Sequence, residues 1–329
     1  MNVQRECRAH RGAVNCVRFT FDGNYVMSGS DDREIILWNP HKDDPASANQ
    51  SLKVKSYSGV HGHPVLDLAI APTNDRFISC GGDKTCFLWD VSTGVVVRRF
   101  QGHTQRINTV DINRDGTVFM SGSYDKTLCI WDLRSNNKDP IQTLTDFKDS
   151  VTCITHTKLV QGISLSSLLF SLLLIHFIQG SIIAGSTDGC IRIYDLRTGL
   201  LHTDNINDCI TSICLSYDER FTLSSSVDGP LRLLDLSSGK VINEYTGHIH
   251  KAYKTEAVIS NNDLSILSGS EDGKIYKWDL KSTKLMNVTD ASNSHSKGIS
   301  SIIYHKDLPF CITASYDGNI KVWKDSFKM

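Results

Sequence analysis

Five histidine–aspartate pairs recur along this chain at nearly constant spacing. His10, His61, His103 and His295 precede Asp32, Asp83, Asp125 and Asp317 by 22 residues, and His248 precedes Asp272 by 24. A hydroxyl stands four residues before each of these aspartates, at Ser28, Ser79, Ser121, Ser268 and Thr313. An imidazole beside a carboxylate can act as a general base, so the first chemistry to weigh is a catalytic dyad. Five copies in one chain argue for a scaffold device instead. Buried polar groups cost heavily without partners, so such types recur as a set. The histidine can bond the aspartate through one nitrogen and the hydroxyl through the other. Six residues after each aspartate stands Trp38, Trp89, Trp131, Trp278 or Trp323, whose indole adds a donor; these are all five tryptophans of the chain.

The elements that must hold these residues follow from the period. Asp188 and Asp228 complete a series of seven aspartates, followed at the tryptophan position by Tyr194 and Leu234. Phe147 and Ile206 stand where those two copies would carry histidine, which predicts weaker polar locks there. A Gly-His opening and a Trp-Asp ending at this period mark one four-stranded blade per copy. The fold expected is therefore all-β, a seven-bladed WD40 β-propeller closed by its N-terminal strand, one domain over residues 1–329. In the third copy, residues 107–112 read as strand a, 117–121 as strand b and 127–131 as strand c. Short polar turns such as Asn113-Arg114-Asp115-Gly116 separate a from b. Residues 2–7 precede the first histidine, lack a partner in blade 1, and are expected as the outer strand of blade 7 beside 318–324.

The chain has 329 residues, 40% hydrophobic, and a net charge of -1, a balance that excludes a broad electrostatic grip on nucleic acid. Its ten cysteines include no CxxC pair and no zinc spacing, and several fall on strand patterns, which implies a reducing compartment, cytosol or nucleus. The opening MNVQRECRAH lacks a hydrophobic targeting run. Gly81-Gly82-Asp83 and Gly29-Ser30-Asp31 read as turns between strands b and c, not phosphate cradles. His61 and His63 have no third or fourth metal ligand to match. No enzyme, metal or cofactor is expected.

Two places break the grammar. Residues 40–57 make a long first junction, read as a polar loop and a charged outer strand. Residues 162–179, GISLSSLLFSLLLIHFIQ, interrupt blade 4 between strands a and b. A membrane span needs about 20 apolar residues, and this run is shorter and broken by serines. A hydrophobic docking loop is a second reading. The favoured one is translated intron: excising the eighteen residues rejoins a compact hairpin, and Leu, Ser and Phe codons suit a pyrimidine-rich tract.

With these irregular blades on the page, the chain resembles the mitogen-activated protein kinase organiser family of seven-bladed WD proteins. The likeness is carried by GAVNCVRFTFDGNYVMSGSDDREIILWNP from Gly12, by VLDLAIAP and ISCGGDKTCFLWDVSTG, by LSSSVDGPLRLLD with its leucine at the tryptophan site, and by EYTGH and SEDGK. It runs over nearly the whole chain except 41–51 and 162–179. It implies a non-enzymatic scaffold for an ERK-type kinase cascade and for spliceosomal complexes in pre-mRNA splicing, present in cytoplasm and nucleus.

For such a scaffold the sequence nominates a partner-binding face where the b–c turns and d–a loops meet. The residues before the aspartates rim it: Asp31, Tyr124, Thr187, Glu271 and Tyr316, with Arg106, Arg11 and Lys251 nearby. Tyr and Arg are frequent interface anchors. The expected partners are proteins, with no membrane and no strong direct nucleic-acid binding, the chain being a monomer within larger complexes. A second reading comes from the Trp-Asp-Leu-Arg ending at Arg134 and its tyrosine version at Arg197. Both resemble the box that substrate receptors show to the adaptor of a cullin-type ubiquitin ligase.

Overall fold

Each repeat folds as one antiparallel sheet whose strands a to d follow chain order, except that the seventh takes its outer strand from the N-terminus. The computed structural model describes residues 1–8, 10–45, 47–157, 180–196 and 198–325. Blade 3 shows the pattern: Ile107–Ile112, Val118–Ser123, Leu128–Asp132 and Gln142–Leu144, each paired to the next. Strand a of every blade lies against strand a of the following one, and the seventh lies against the first. The described residues hold no helix long and apolar enough to cross a membrane.

The core is a set of layers between neighbouring sheets. Ile78, Leu88 and Phe100 of blade 2 pack on Val110, Phe119 and Trp131 of blade 3, all nearly inaccessible to water. Two of the tryptophans stack on a strand-b aromatic, Trp131 on Phe119 at 5.8 Å and Trp89 on Phe77 at 5.7 Å. Offset stacking of this kind adds to the area term.

Strand a carries a bulge at its second residue in blades 1, 2, 3, 4, 5 and 7, where pairing skips Asn15, Leu66, Asn108, Thr152, Thr211 and Ser300. A bulge re-aims the side chain it leaves unpaired. Here it turns that side chain toward the next blade. Asn15 donates to Val65 O and Asn108 to Val151 O, both at 2.8 Å. Thr152 donates to Ile210 O, Thr211 to Thr255 O and Ser300 to Val14 O. Leu66 has nothing to donate, and Thr255 Oγ1 in blade 6 is buried with no hydrogen-bond partner among the described residues. These inter-blade bonds went unread in the sequence, although a polar residue early in strand a is their signal.

The ring closes through Asn2–Cys7, antiparallel to Ile320–Lys324 of blade 7. The same strand also has a partner in blade 1, contrary to expectation. Glu6 pairs with Gln50 in parallel, and Arg5 holds Asp43 and the carbonyl of Pro40. Blades 7 and 1 therefore form one eight-stranded sheet. At the 40–57 junction the charged outer strand is present, but strand pairing also runs through the stretch expected as a polar loop. Ile35–Asp44 and Ser47–Tyr57 form a long hairpin, because the polar residues there alternate and can pair beyond the blade.

In six blades the a–b turn is closed by residues five apart, such as Asn113 and Val118 or His305 and Phe310. In blade 4 the same bond joins Thr157 N to Ser181 O, 24 apart. Blade 4 thus holds 24 − 5 = 19 residues more than its neighbours between equivalent anchors. Excision of residues 162–179 would leave a turn one residue longer than theirs. The insertion itself lies outside the described residues.

Candidate docking site at the ring mouth

The polar locks fix the loops that build one mouth of the ring. In blades 1, 2, 3 and 7, Nδ1 of His10, His61, His103 and His295 donates to Asp32, Asp83, Asp125 and Asp317 at 2.5–3.1 Å. Nε2 meets Ser28, Ser79, Ser121 or Thr313 at 2.7–2.8 Å. Trp38, Trp89, Trp131 and Trp323 donate to those same hydroxyls at 2.8–2.9 Å. Burial pushes the Asp32 carboxyl up, but His10 and the N–H groups of Arg11 and Glu34 outweigh it and hold it down to about 2. Each of these four hydroxyls is enclosed between an indole and an imidazole and so is held as part of the lock.

Blade 6 departs from the sequence reading. His248 does not reach Asp272. Two extra residues separate it from strand a, and its ring instead meets Trp278 edge-on at 5.7 Å. Neither of its ring nitrogens has a hydrogen-bond partner among the described residues. Asp272 takes the Tyr276 hydroxyl at 3.0 Å, Ser268 turns to Gly269 O, and the Trp278 indole donates to Thr246 O. The longer loop is held by Glu271, whose Oε1 accepts the N–H groups of Lys251, Ala252 and Tyr253 at 2.6–2.9 Å. Burial raises the Glu271 carboxyl, and these three donors bring it below its ordinary value. Glu271 is therefore an internal anchor rather than a free rim charge.

Where the histidine lock is not made, the residue four after the aspartate takes its place in blades 4 and 6 but not in blade 5, a signal the sequence reading passed by. In blade 4, Arg192 pairs with Asp188 at 2.8 Å and lies over the Phe147 ring. In blade 6 the residue is Tyr276. In blade 5 it is Arg232, which turns instead to Asp208 at 2.6 Å and Glu244 at 3.0 Å.

Above the locks, the residue before each aspartate donates its N–H to the preceding d–a loop, as Tyr124 does to Arg106 O, Thr187 to Ser150 O and Tyr316 to Gly298 O. Arg106, Tyr124, Thr187 and Tyr316 meet at a cavity of about 450 Å³ at the mouth, with Lys254 at its floor. Arg106 lies over the Tyr124 ring at 4.8 Å. The Tyr316 hydroxyl donates to Lys254 O, and its ring faces Tyr253 at 5.2 Å. Asp31, Arg11, Lys251 and Glu271 do not line this cavity; Asp31 accepts the Asn15 amide at 2.8 Å.

Beneath the floor the channel is crossed by charges. Arg18 reaches Asp67 at 2.7 Å and Glu256 at 3.1 Å, and Lys254 is 3.7 Å from Glu256. Thr109 and Ser301 donate to the two carboxylates. Blades 1, 2, 3, 6 and 7 are thus tied across the axis. This cluster separates the upper mouth from a lower cavity of about 560 Å³ rimmed by Phe21, Tyr217 and Arg114. Among the described residues no three metal-ligating side chains come together. Arg134 is exposed and folds back on Asp132 of its own repeat, and Arg197 lies outside the described residues.

Comparison with known proteins agrees with this architecture. Residues 1–39, 53–90, 94–132, 239–279 and 288–324 match the family described as WD domain, G-beta repeat. WD repeat domain-containing protein 83 homolog of Dictyostelium discoideum is 34% identical, over 96% of each chain. WD repeat domain-containing protein 83 of Rattus norvegicus is 38% identical and that of Homo sapiens 37%, each over 96% of this chain and 89% of the relative.

Proposed function

Because this chain belongs to the WD domain, G-beta repeat family, we propose that it is a non-enzymatic scaffold whose upper mouth captures a segment of another protein. The observation that carries this is the convergence of Arg106, Tyr124, Thr187 and Tyr316 on one cavity, while the histidine–aspartate pairs beneath are consumed as structural locks. A rigid ring presenting tyrosine and arginine is suited to docking. Arg106→Glu or Tyr124→Ala should weaken partner capture and leave stability within about 1 kcal/mol, since both side chains are exposed. Pull-down beside a melting curve tests this. Unchanged partners with both variants would sink the docking reading.

The assembly served is proposed to be the splicing machinery, with an ERK-type kinase cascade as the second reading and residence in both nucleus and cytoplasm. Support for these comes from the likeness to the organiser family. Affinity purification from separated nuclear and cytoplasmic extracts, read by mass spectrometry, distinguishes them. Spliceosomal proteins that remain after nuclease treatment favour the first reading. Kinase-cascade members without splicing factors favour the second. Recruitment to a ligase adaptor through Arg134 keeps one supporting observation, a side chain 72% exposed. Loss of adaptor co-purification on Arg134→Ala tests it.

A further inference from the structure

Resting on the docking reading, the geometry points to the partner's chemistry: we propose that the upper cavity receives the carboxylate side chains of an acidic polypeptide segment. The argument is an inventory of donors and acceptors. Most polar side chains lining the cavity are already committed between blades. Asn15 and Asn108 donate to Val65 O and Val151 O, Thr152 and Thr211 donate to carbonyls, and the Tyr316 hydroxyl donates to Lys254 O. The acceptors around the mouth are engaged in part. Asp31 holds the Asn15 amide, Asp149 accepts the N–H of Ser150, and Glu271 is filled by three N–H groups.

The arginine that lines the cavity is not so engaged. The Arg106 guanidinium makes no ion pair among the described residues and is presented on the Tyr124 ring. The side chain is exposed, and a guanidinium can clasp a carboxylate through two parallel bonds. Lys254 adds a second cation at the floor, 3.7 Å from a Glu256 that Arg18 already holds. Exposed lysines at 126, 148, 251 and 297 stand in the same b–c turns and d–a loops. Their field reaches about 8 Å at physiological salt and favours an anionic segment lying across the opening. A carboxylate on Arg106 with an adjacent apolar side chain against Tyr124 would satisfy both halves of the pair. The whole chain carries a net charge of -1, so it exerts no broad pull on a polyanion. That suits a short peptide better than an extended RNA backbone.

The test uses the full chain and three fluorescein-labelled probes: a twelve-residue peptide alternating glutamate with Gly or Ser, the same peptide with glutamine for glutamate, and a twelve-nucleotide oligouridylate. Anisotropy at low salt should show the glutamate peptide binding at least tenfold tighter than the glutamine one, with the advantage shrinking as salt rises. Arg106→Gln should remove at least fivefold of that affinity at unchanged melting temperature, and Arg106→Lys should restore part of it. Equal binding of the two peptides, or no loss with Arg106→Gln, overturns the proposal. So does tighter binding of the oligouridylate through the same arginine, which would make the mouth an RNA site. If Tyr124→Ala still releases native partners while the two peptides bind alike, only the acidic chemistry fails and docking stands. If both mouth variants keep every native partner, the docking reading itself has failed, and this proposal with it.

Discussion

His103 and His248 open equivalent repeats, yet two residues of loop length give them opposite environments. His103 is bonded at both nitrogens, and Asp125 also accepts the N–H of Thr104 at 2.8 Å. Asp125→Ala would orphan the imidazole and the loop N–H together, so it should cost about 2–3 kcal/mol, read as a lower urea midpoint at unchanged m-value. His248 has neither partner. Burial and the neighbouring His250 hold its ring down to about 4. A histidine depressed in the fold stays neutral there while the unfolded chain takes up a proton below about 6.5. Its contribution is therefore fully present above that pH and is lost as pH falls toward about 4. His248→Leu should flatten the decline of melting temperature between about pH 6.5 and 4, while Asp125→Ala should not. Equal slopes in His248→Leu and the parent chain would contradict this assignment.

At the scale of elements, the closing strand does two jobs. It completes blade 7 through Cys7, Glu6 and Arg5, and it touches blade 1 through Glu6 and Arg5. Deleting residues 1–7 would expose the ladder of Ile320–Lys324 and release the Ile35–Asp44 hairpin. Amide exchange should rise in both places and remain unchanged in blade 3. Faster exchange in blade 7 alone would mean that the bridge to blade 1 carries no stability. The bulged residue of strand a is the second such device. In blades 1, 3, 4, 5 and 7 it converts an unpaired position into a bond to the next sheet, so those blades are joined to the next by direction as well as by apolar contact.

For the whole molecule, the channel cluster is the tie that crosses the axis. Asp67 and Glu256 are buried, and Arg18 sits between them with about a quarter of its side chain accessible. Removing one partner of a buried ion pair costs about 3–5 kcal/mol because the remaining charge is left unpaired. Solvent access to Arg18 lowers the expected figure, so Arg18→Met should destabilise by about 2–3 kcal/mol. The loss should appear as one cooperative shift of the urea curve, since the cluster joins blades far apart in the ring. A separate early transition in blade 1 would argue that the cluster is local.

The repeat period, the strand grammar and the closure by residues 2–7 were legible in the chain itself, because hydrophobic alternation, turn residues and the spaced His, Asp and Trp act within one blade. Four of the five histidine locks lie within a single repeat and could be read from spacing. The fifth could not, since a 24-residue interval does not say whether the extra length keeps or displaces His248. The same limit explains what else the sequence left undecided. The exchange of Arg192 for a histidine, the pairing of the 40–57 hairpin with Arg5, the Arg18–Asp67–Glu256 cluster and the meeting of Arg106 and Tyr124 with Tyr316 all join different strands or blades. Local preference specifies the blade, whereas contacts such as that between Arg18 and Glu256, 238 positions apart, depend on how the ring closes, and only the tertiary structure decides those.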